Sequence, residues 1–331
     1  MEGSAVIATQ TSGDFESYRR ELTAYCYRML GSPFEAEDAV QDTMLRAWRS
    51  MDRFEGRASL RSWLYRIATN VCLDMLSGKQ RRARPMDLGG ARSPDGPIGS
   101  ILSEVTWIEP VPDGLVASDE DPAAIAQSRE TLRLAFVAAL QHLPPRQRAA
   151  LILCEVLHWK ASEAAEQLDT SVAAVNSALQ RARSTLDTAD VGDSTPAPLP
   201  EHDRELLTRY VDAFERYDMD ALTDLIREDA TQSMPPYELW LSGREHILRW
   251  WVGQGAGCRG SRVLPIGTAN GSPAFGQYKP SDTGVGYDPW ALQVLEIADG
   301  RIVEFTFFLS TESIFPLFGL PSRLDVDGHP A

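Results

Sequence analysis

The run DTSVAAVNSALQRARSTL, residues 169–186, constrains the fold of this chain more tightly than any other stretch. Read at 3.6 residues per turn, Val172, Val175, Leu179, Ala182 and Leu186 fall on one stripe. Ala173, Asn176, Ser177, Gln180, Arg181 and Ser184 fall on the opposite face. The apolar stripe has to be buried, and ASEAAEQL just before it supplies a short helix to bury it against. DTS is the turn between them, with Ser171 or Thr170 as the cap. LPPRQRAALILCEVL adds a third helix, opened by proline. The other face suits a DNA major groove. Small side chains let the backbone approach, amides and hydroxyls meet base edges, and arginine neutralises phosphate. The same pattern also fits a helical hairpin with a solvated face.

A chain of 331 residues is too long for one ordinary core, and two breaks divide it. Residues 86–122 are acidic, rich in proline and glycine, and aperiodic, which reads as a linker. DVGDSTPAPLP, residues 190–200, is the second break. Residues 14–85 read as helices. Phe15, Tyr18, Leu22, Tyr25 and Met29 share one face, and Ala36, Ala39, Val40, Thr43, Met44 and Ala47 share another. After the loop DRFEGRAS, Ser59 is placed to cap a long helix that Gly78 weakens or ends. Helices resume near Pro122 and continue to about residue 188. Beyond 200, EHDRELLTRYVDAFERYDMDALTDLI has helical spacing, whereas PWALQVLEIA and GRIVEFTFFLS are strand-like and joined by the hairpin signal ADG. The expected protein is multidomain: two all-α domains (14–85 and 123–188), then an α+β domain over 201–325.

The net charge of −15 taken alone argues against a nucleic-acid binder. Its distribution changes that. Basic residues gather in LRAWRSMDRFEGRASLRSWLYR, GKQRRAR and QRAR, while the acidic surplus lies in 86–122 and beyond 185. Phe54, Trp63 and Tyr65 are interleaved with Arg53, Arg57, Arg61 and Arg66, and Lys79, Arg81 and Arg82 follow. Aromatics that stack on unpaired bases, beside arginines that track the backbone, hold single strands; Trp63 and Tyr65 equally suit a core. Cys26, Cys72, Cys154 and Cys258 form no CxxC and lack a histidine at ligand spacing, so they read as inert thiols, with redox sensing as the alternative. The five histidines are scattered as well, so no metal or cofactor is expected. With no long apolar run and no signal-peptide pattern in MEGSAVIATQTSGD, no membrane partner is expected and the cytoplasm is the expected compartment.

These residues carry a resemblance. GSPFEAEDAVQDTMLRAWR with FEGRASLRSWLYRIATNVCLDMLSGKQRR resembles region 2 of the extracytoplasmic-function sigma factors, and LPPRQRAALILCEVLHWKASEAAEQLDTSVAAVNSALQRAR resembles their region 4. The resemblance implies a subunit whose partners are core RNA polymerase and promoter DNA. By position, Asp38, Gln41, Asp42, Leu45 and Trp48 match the face that grips core polymerase. Phe54, Arg57, Ser59, Trp63, Asn70, Asp74, Lys79, Arg81 and Arg82 match the part that captures a flipped base of the −10 element and approaches its duplex. Capture of an extruded base offsets the cost of melting. Ser171, Ala173, Asn176, Ser177, Gln180 and Arg181 match the helix that reads the −35 element. In that family the linker threads toward the template channel, where an acidic segment could mimic nucleic acid.

Members of that family ordinarily end soon after the recognition helix. The order of helices and strands in 201–325 resembles the SnoaL-like, nuclear-transport-factor-like fold, a curved sheet enclosing a conical pocket. Aromatics expected at such a pocket are Tyr210, Phe214, Met234 (a softer companion), Trp240, Trp250, Trp251, Tyr287 and Trp290, each of which also suits plain core. A small-molecule ligand is the partner this implies. Enzymes and binding proteins share the fold. Asp224, His246 and Asp288 are conceivable acid–base groups, but no spacing pairs them, so no catalytic residue is assigned.

The reading that covers most of the chain is a sigma factor regulated in cis by its tail, with FPLFGLPSRL at 315–324 as a strand-like latch or a helix that docks on the DNA-binding part. An enzyme or ligand-binding domain fused to a DNA-binding module is the alternative. A helix–turn–helix repressor leaves 14–85 unexplained. Arg181→Ala is expected to weaken binding to the upstream promoter element and to lower the log–log salt slope by roughly 1, the loss of about one phosphate contact. Unaltered affinity and slope in a salt titration remove Arg181 from the interface.

Overall fold

The computed structural model describes residues 15–54, 56, 58–116, 130–186 and 201–331. The described residues form two compact units, one from 1–82 with 113–193 and the other from 83–112 with 194–331.

In the first unit, α1 (Arg19–Leu30), α2 (Pro33–Ser50) and α3 (Leu60–Leu76) pack together. Gly31 ends α1 in the left-handed region at φ 74° and donates its N–H to Tyr27 O at 2.7 Å. A Cβ there would also press against Arg82 and Gln141. Ser32 caps α2, accepting from Glu35 N at 3.3 Å, with Pro33 as the first helical residue. Ser59 caps α3 as its sequence suggests, accepting from Ser62 N at 3.1 Å, and Gly78, at φ 75°, lies just past its end. Phe15, Leu22, Tyr25 and Met29 are buried, whereas Tyr18 is only half-buried. The Tyr25 hydroxyl, deep in the core, shares a 2.8 Å hydrogen bond with Thr69 Oγ1.

The same unit contains α4 (Asp113–Val116), α5 (Leu134–Gln141), α6 (Pro145–Leu151), α7 (Ala161–Gln167) and α8 (Val172–Leu186), with a π-helical turn at Ile152–Val156 after α6. Val175, Ala178, Leu179 and Ala182 bury the stripe of α8 against α6 and α7. Val172, expected on that stripe, is 44% exposed, because it stands in the first turn beyond the reach of those helices. Ser171 is the cap, accepting from Ala174 N at 3.1 Å.

Two buried arginines join α1 to the later helices. Arg28 donates to Thr131 Oγ1 at 2.7 Å and Thr131 O at 3.3 Å. Arg148, 2% exposed, donates to Met29 O, to Gln141 Oε1 at 2.5 Å, and to Gln141 O and Leu143 O at 3.2 Å each. Burial pushes both guanidinium pKa values down to about 10, so both remain charged near neutrality.

The second unit is built on a six-stranded sheet, ordered β2-β1-β6-β5-β4-β3. Its strands are β1 (Ile226–Ser233), β2 (Trp240–Ser242), β3 (Arg262–Ala269), β4 (Ser272–Pro280), β5 (Tyr287–Ala298) and β6 (Arg301–Phe308). All neighbours are antiparallel except β1 and β6. Asp299 and Gly300, at φ 52° and 66°, make the expected hairpin turn, and Asn270 and Gly271, at 53° and 76°, make a second. Helices α9 (Glu201–Arg216), α10 (Met219–Leu225) and α11 (Arg244–Val252) share its core. The helical spacing of 201–226 does not give one helix. Tyr217 adopts φ 59° and Asp218 caps a new helix, accepting from Ala221 N at 3.0 Å; Ile226 already belongs to β1.

Residues 86–112, read above as part of a linker, belong to this second unit, as do 83–85, read above as the end of the first helical domain. Trp107, Ile108 and Val111 are buried. Arg92 N donates to Trp240 O and Trp240 Nε1 to Gly89 O, each at 2.8 Å. Gln254 Nε2 donates to Pro94 O at 2.9 Å and Gly96 O at 2.7 Å, and Arg249 pairs with Asp95 at 2.5 Å. Leu102 N donates to Pro236 O at 3.0 Å, and Val111 N to Asn270 Oδ1 at 2.9 Å. Irregular backbone ordered by single side-chain partners leaves no hydrophobic period to read. Residues 117–122 of the predicted linker lie outside the described residues.

The segment 315–324 also packs within this unit. Phe315, in α12 (Thr311–Leu317), meets the Tyr278 ring edge-on at 5.2 Å. Leu320 lies over Gly276, where a Cβ would collide with it, and Leu324 exchanges backbone hydrogen bonds with Tyr287 at 2.9 and 3.0 Å. Within its own unit the segment expected as a latch or docking helix packs over β4 and β5, whose apolar outer face needs cover.

Arg148→Met, which keeps the stem and removes the donors, is expected to destabilise the first unit by about 2–4 kcal/mol, since it leaves several buried carbonyls unpaired. Urea unfolding of the variant beside the parent measures it.

Candidate functional site

Three exposed surfaces and one cavity carry the residues singled out by sequence. On α2, Asp38, Gln41, Leu45 and Trp48 are exposed and Asp42 is half-buried. The apolar members matter most: Leu45 is 53% exposed and Trp48 64%. Asp42 holds Arg46 at 2.8 Å and Arg46 also reaches Asp74 at 3.3 Å, so α2 and α3 present one charged, partly apolar face.

Phe54 and Trp63 are half-buried, with ring centroids 4.9 Å apart. Ser59 is tied up as a cap, Asn70 and Asp74 are exposed on α3, and Arg57 lies outside the described residues. Lys79 pairs with Glu35 at 2.8 Å, and Arg81 contacts His142. Arg82 is only 7% exposed and pairs with Glu35 at 3.3 Å, so in this conformation it is a structural cation rather than a free phosphate ligand. Lys79 and Arg82 hold the Glu35 carboxyl below its ordinary pKa against the opposing effect of burial, the largest single influence.

Ser171, Ala173, Asn176, Ser177, Gln180 and Arg181 are all exposed on α8. Arg181 donates to Ser177 Oγ at 2.6 Å, which sets its guanidinium on that face. The start of this helix faces α3 within the same unit: Arg66 pairs with Asp169, and Trp159 packs edge-on against Tyr65 at 5.3 Å. Arg61, held by Glu21 at 2.8 Å, lies over both rings.

The second unit holds a cavity between the sheet and its helices. Of the expected aromatics, Phe214, Met234, Trp250, Trp251 and Trp290 line it. Tyr210 sits behind Phe214 in the core, Trp240 is engaged with Gly89, and Tyr287 lies beneath Arg262 and pairs with Leu324. Residues that sequence reasoning missed are Tyr217, Met219, Gln232, Gly255, Cys258, Gln277 and Phe307. The signal was available: a glutamine within an apolar strand is either partnered or functional. The buried glutamines form a directed chain. Tyr210 donates to Gln293 Oε1 at 2.7 Å, Gln293 Nε2 to Gln277 Oε1 at 2.9 Å, and Gln277 Nε2 to Ser261 Oγ at 3.1 Å. Trp251 Nε1 donates to Gln232 Oε1 at 2.7 Å. Asp224 and His246 are exposed and Asp288 pairs with Arg323 at 2.9 Å; none of the three lines the cavity. Among the described residues, no cluster of three or more potential metal ligands is present and no helix is long and apolar enough to cross a membrane.

Residues 15–82 match the family Sigma-70 region 2, residues 133–186 match Sigma-70, region 4, and residues 207–305 match the SnoaL-like domain. The ECF RNA polymerase sigma factor SigG of Mycobacterium tuberculosis is 46% identical over 96% of this chain and 86% of its own length. The ECF RNA polymerase sigma factor SigJ of the same species is 30% identical over 87% of this chain and 88% of its own. The crystal structure of SigJ, aligned at 22% identity, has a TM-score of 0.58 and covers 94% of this chain and 99% of that one, a likeness of fold.

The Cys258 thiol reports on the cavity wall. Burial pushes its pKa up to about 11, against the smaller opposing effects of Gln277 and Lys279. Its thiolate fraction at pH 8 is then about a hundredfold below that of an ordinary cysteine. Alkylation of the Cys258 peptide by iodoacetamide, followed by mass spectrometry, is expected to be slower by about that factor and to accelerate up to pH 11.

Proposed function

We propose that this chain, which belongs to the ECF RNA polymerase sigma factors, directs promoter-specific transcription initiation under the control of its own carboxy-terminal unit. As a sigma factor it binds core RNA polymerase and promoter DNA, work done in the cytoplasm. Leu45 and Trp48 supply the apolar centre of the polymerase contact, ringed by Asp38, Gln41 and Asp42. Asn176, Ser177, Gln180 and Arg181 read the −35 element from α8, with Ser171 and Ala173 beside them. Phe54, Trp63 and Asn70, with Arg57 and Ser59, engage the melted −10 strand, and Lys79, Arg81 and Arg82 reach phosphate once Glu35 and His142 release them.

The observation that carries control is the packing of the two DNA-reading parts into one unit, with Asp169 before the recognition helix paired to Arg66 on α3. By their names the two promoter elements lie about 25 base pairs apart, roughly 85 Å of duplex at 3.4 Å per pair. The closed unit therefore has to open on the promoter. Residues 83–112, which run between the two parts, are held by the carboxy-terminal unit through Trp240, Arg249, Gln254 and Asn270. Their release or retention sets the slack available for opening. The carboxy-terminal unit acts by binding rather than catalysis: the ionisable groups of the cavity wall are Tyr217 and Cys258, both kept protonated by burial, and the conceivable acid–base residues stand elsewhere.

Run-off transcription by purified core polymerase tests both parts of the reading. The full chain is expected to confer initiation on a subset of genomic fragments, and Arg249→Ala combined with Gln254→Ala to change its rate severalfold with core affinity unaltered. Absence of core binding by either protein overturns the sigma reading. Identical initiation by the two overturns the regulatory reading.

A further inference from the structure

The cavity of the second unit contains two buried donors that the protein leaves without acceptors. Gln232 is 1% exposed and Trp250 is 6% exposed, and both line the cavity. Among the described residues, nothing accepts a hydrogen bond from Gln232 Nε2 or Trp250 Nε1. The orientation of Gln232 is fixed, because its Oε1 has to face the Trp251 donor. Its amide nitrogen then points away from Trp251. Gly255 sits against the six-membered ring of Trp250, where any Cβ would collide, so this indole is also held in place. A buried donor left unmatched costs about 1–3 kcal/mol. Two in one cavity make it selective for whatever supplies the missing acceptor.

The remaining wall narrows that further. Phe214, Met219, Met234, Trp290 and Phe307 are apolar and demand an apolar body. Gln277 already gives its oxygen to Gln293, and its amide hydrogens to Ser261 and the Cys258 thiol. No carboxylate lines the cavity. Two cations stand on the rings of its wall: Arg259 lies 4.9 Å from the Tyr217 ring centroid, and Lys279 lies 4.7 Å from that of Trp290. That field disfavours a cationic guest.

We infer that the cavity binds a small, largely apolar molecule, neutral or anionic, such as a single-ring ketone, whose accepting oxygen takes up Trp250 Nε1 and Gln232 Nε2. This rests on the regulatory reading of the carboxy-terminal unit and names the ligand class for it. The space open to the centre of a water molecule is about 20 Å³, enough for a water but not for a ring. A ring enters by displacing Met219 and Met234, whose unbranched side chains repack readily.

Three single-ring probes of similar size separate the possibilities on the full-length protein: acetophenone (acceptor), ethylbenzene (no polar group) and benzylammonium (cation). Proton–nitrogen correlation spectra follow the Trp250 indole N–H, assigned by its loss in Trp250→Phe. Acetophenone is expected to bind about tenfold more tightly than ethylbenzene and to move the Trp250 indole proton downfield, with benzylammonium the weakest. Trp250→Phe and Gln232→Met are each expected to reduce the acetophenone preference about threefold or more, with thermal melting confirming that each variant is folded. Equal binding of acetophenone and ethylbenzene overturns the inference. So does an absence of binding up to the solubility limit, which would mean that the donors hold water only. The indole shift in the unmodified protein decides the matter even where a variant fails to fold. These outcomes do not touch the regulatory reading, which is judged from initiation by the Arg249 and Gln254 variants with no probe present. Unchanged initiation there, with acetophenone bound as expected, retires the regulatory reading and leaves the site.

Discussion

The closed form of the amino-terminal unit depends on the guanidinium of Arg148. It lies where two helices end, α1 at Leu30 and α5 at Gln141, and donates to Met29 O, Gln141 O and Leu143 O. Helix ends leave carbonyls without intrahelical partners and carry partial negative charge. A buried cation with no carboxylate is tolerated there for that reason, and it stays charged because its pKa falls only to about 10. The contact is local in chemistry but spans the two DNA-reading parts. On the opening proposed above, both the guanidinium and the carbonyls would meet water, so each bond given up would have a net cost of only about 0.5–1.5 kcal/mol. Energies of that size lie within reach of polymerase binding.

Helix α11 has a comparable role in the second unit. Its apolar side contributes Trp250 and Trp251 to the cavity, while Arg249 and, just beyond the helix, Gln254 hold residues 94–96. The first contacts are dry and aromatic. The second set consists of single hydrogen bonds and one exposed ion pair, each worth little alone. One short rigid element thus touches both the ligand space and the linker.

The helices were legible because their periods are strong and the starts of α3 and α8 are marked by Ser59 and Ser171. The exposed face of α8 could be listed residue by residue, since a helix that buries Val175, Leu179 and Ala182 has no choice about the rest. Two things were not legible, and a third was passed over. The ordering of 83–112 comes from single partners such as Trp240 and Gln254, far away in sequence, and no local pattern encodes it. The break at Tyr217 is a single left-handed residue inside an uninterrupted apolar rhythm. The polar side of the cavity lay in glutamines, and a count of aromatics passed over them. Aromatics in a curved-sheet fold divide between core and cavity by depth, as Tyr210 and Phe214 do, and sequence has no measure of depth.

Exposed apolar groups and buried unpaired polar groups are opposite departures from the ordinary distribution of residues, and each has its own physical remedy. Trp48 on α2 is apolar surface left in water, and it is relieved by a protein partner large enough to cover it. Gln232 and Trp250 are polar groups removed from water, and they are relieved by a molecule small enough to enter. The first departure lies in the unit that contains both DNA-reading parts, the second in the unit that holds the segment between them. A chain with only the first would be an initiation subunit. The second is what the proposed control by a small molecule rests on.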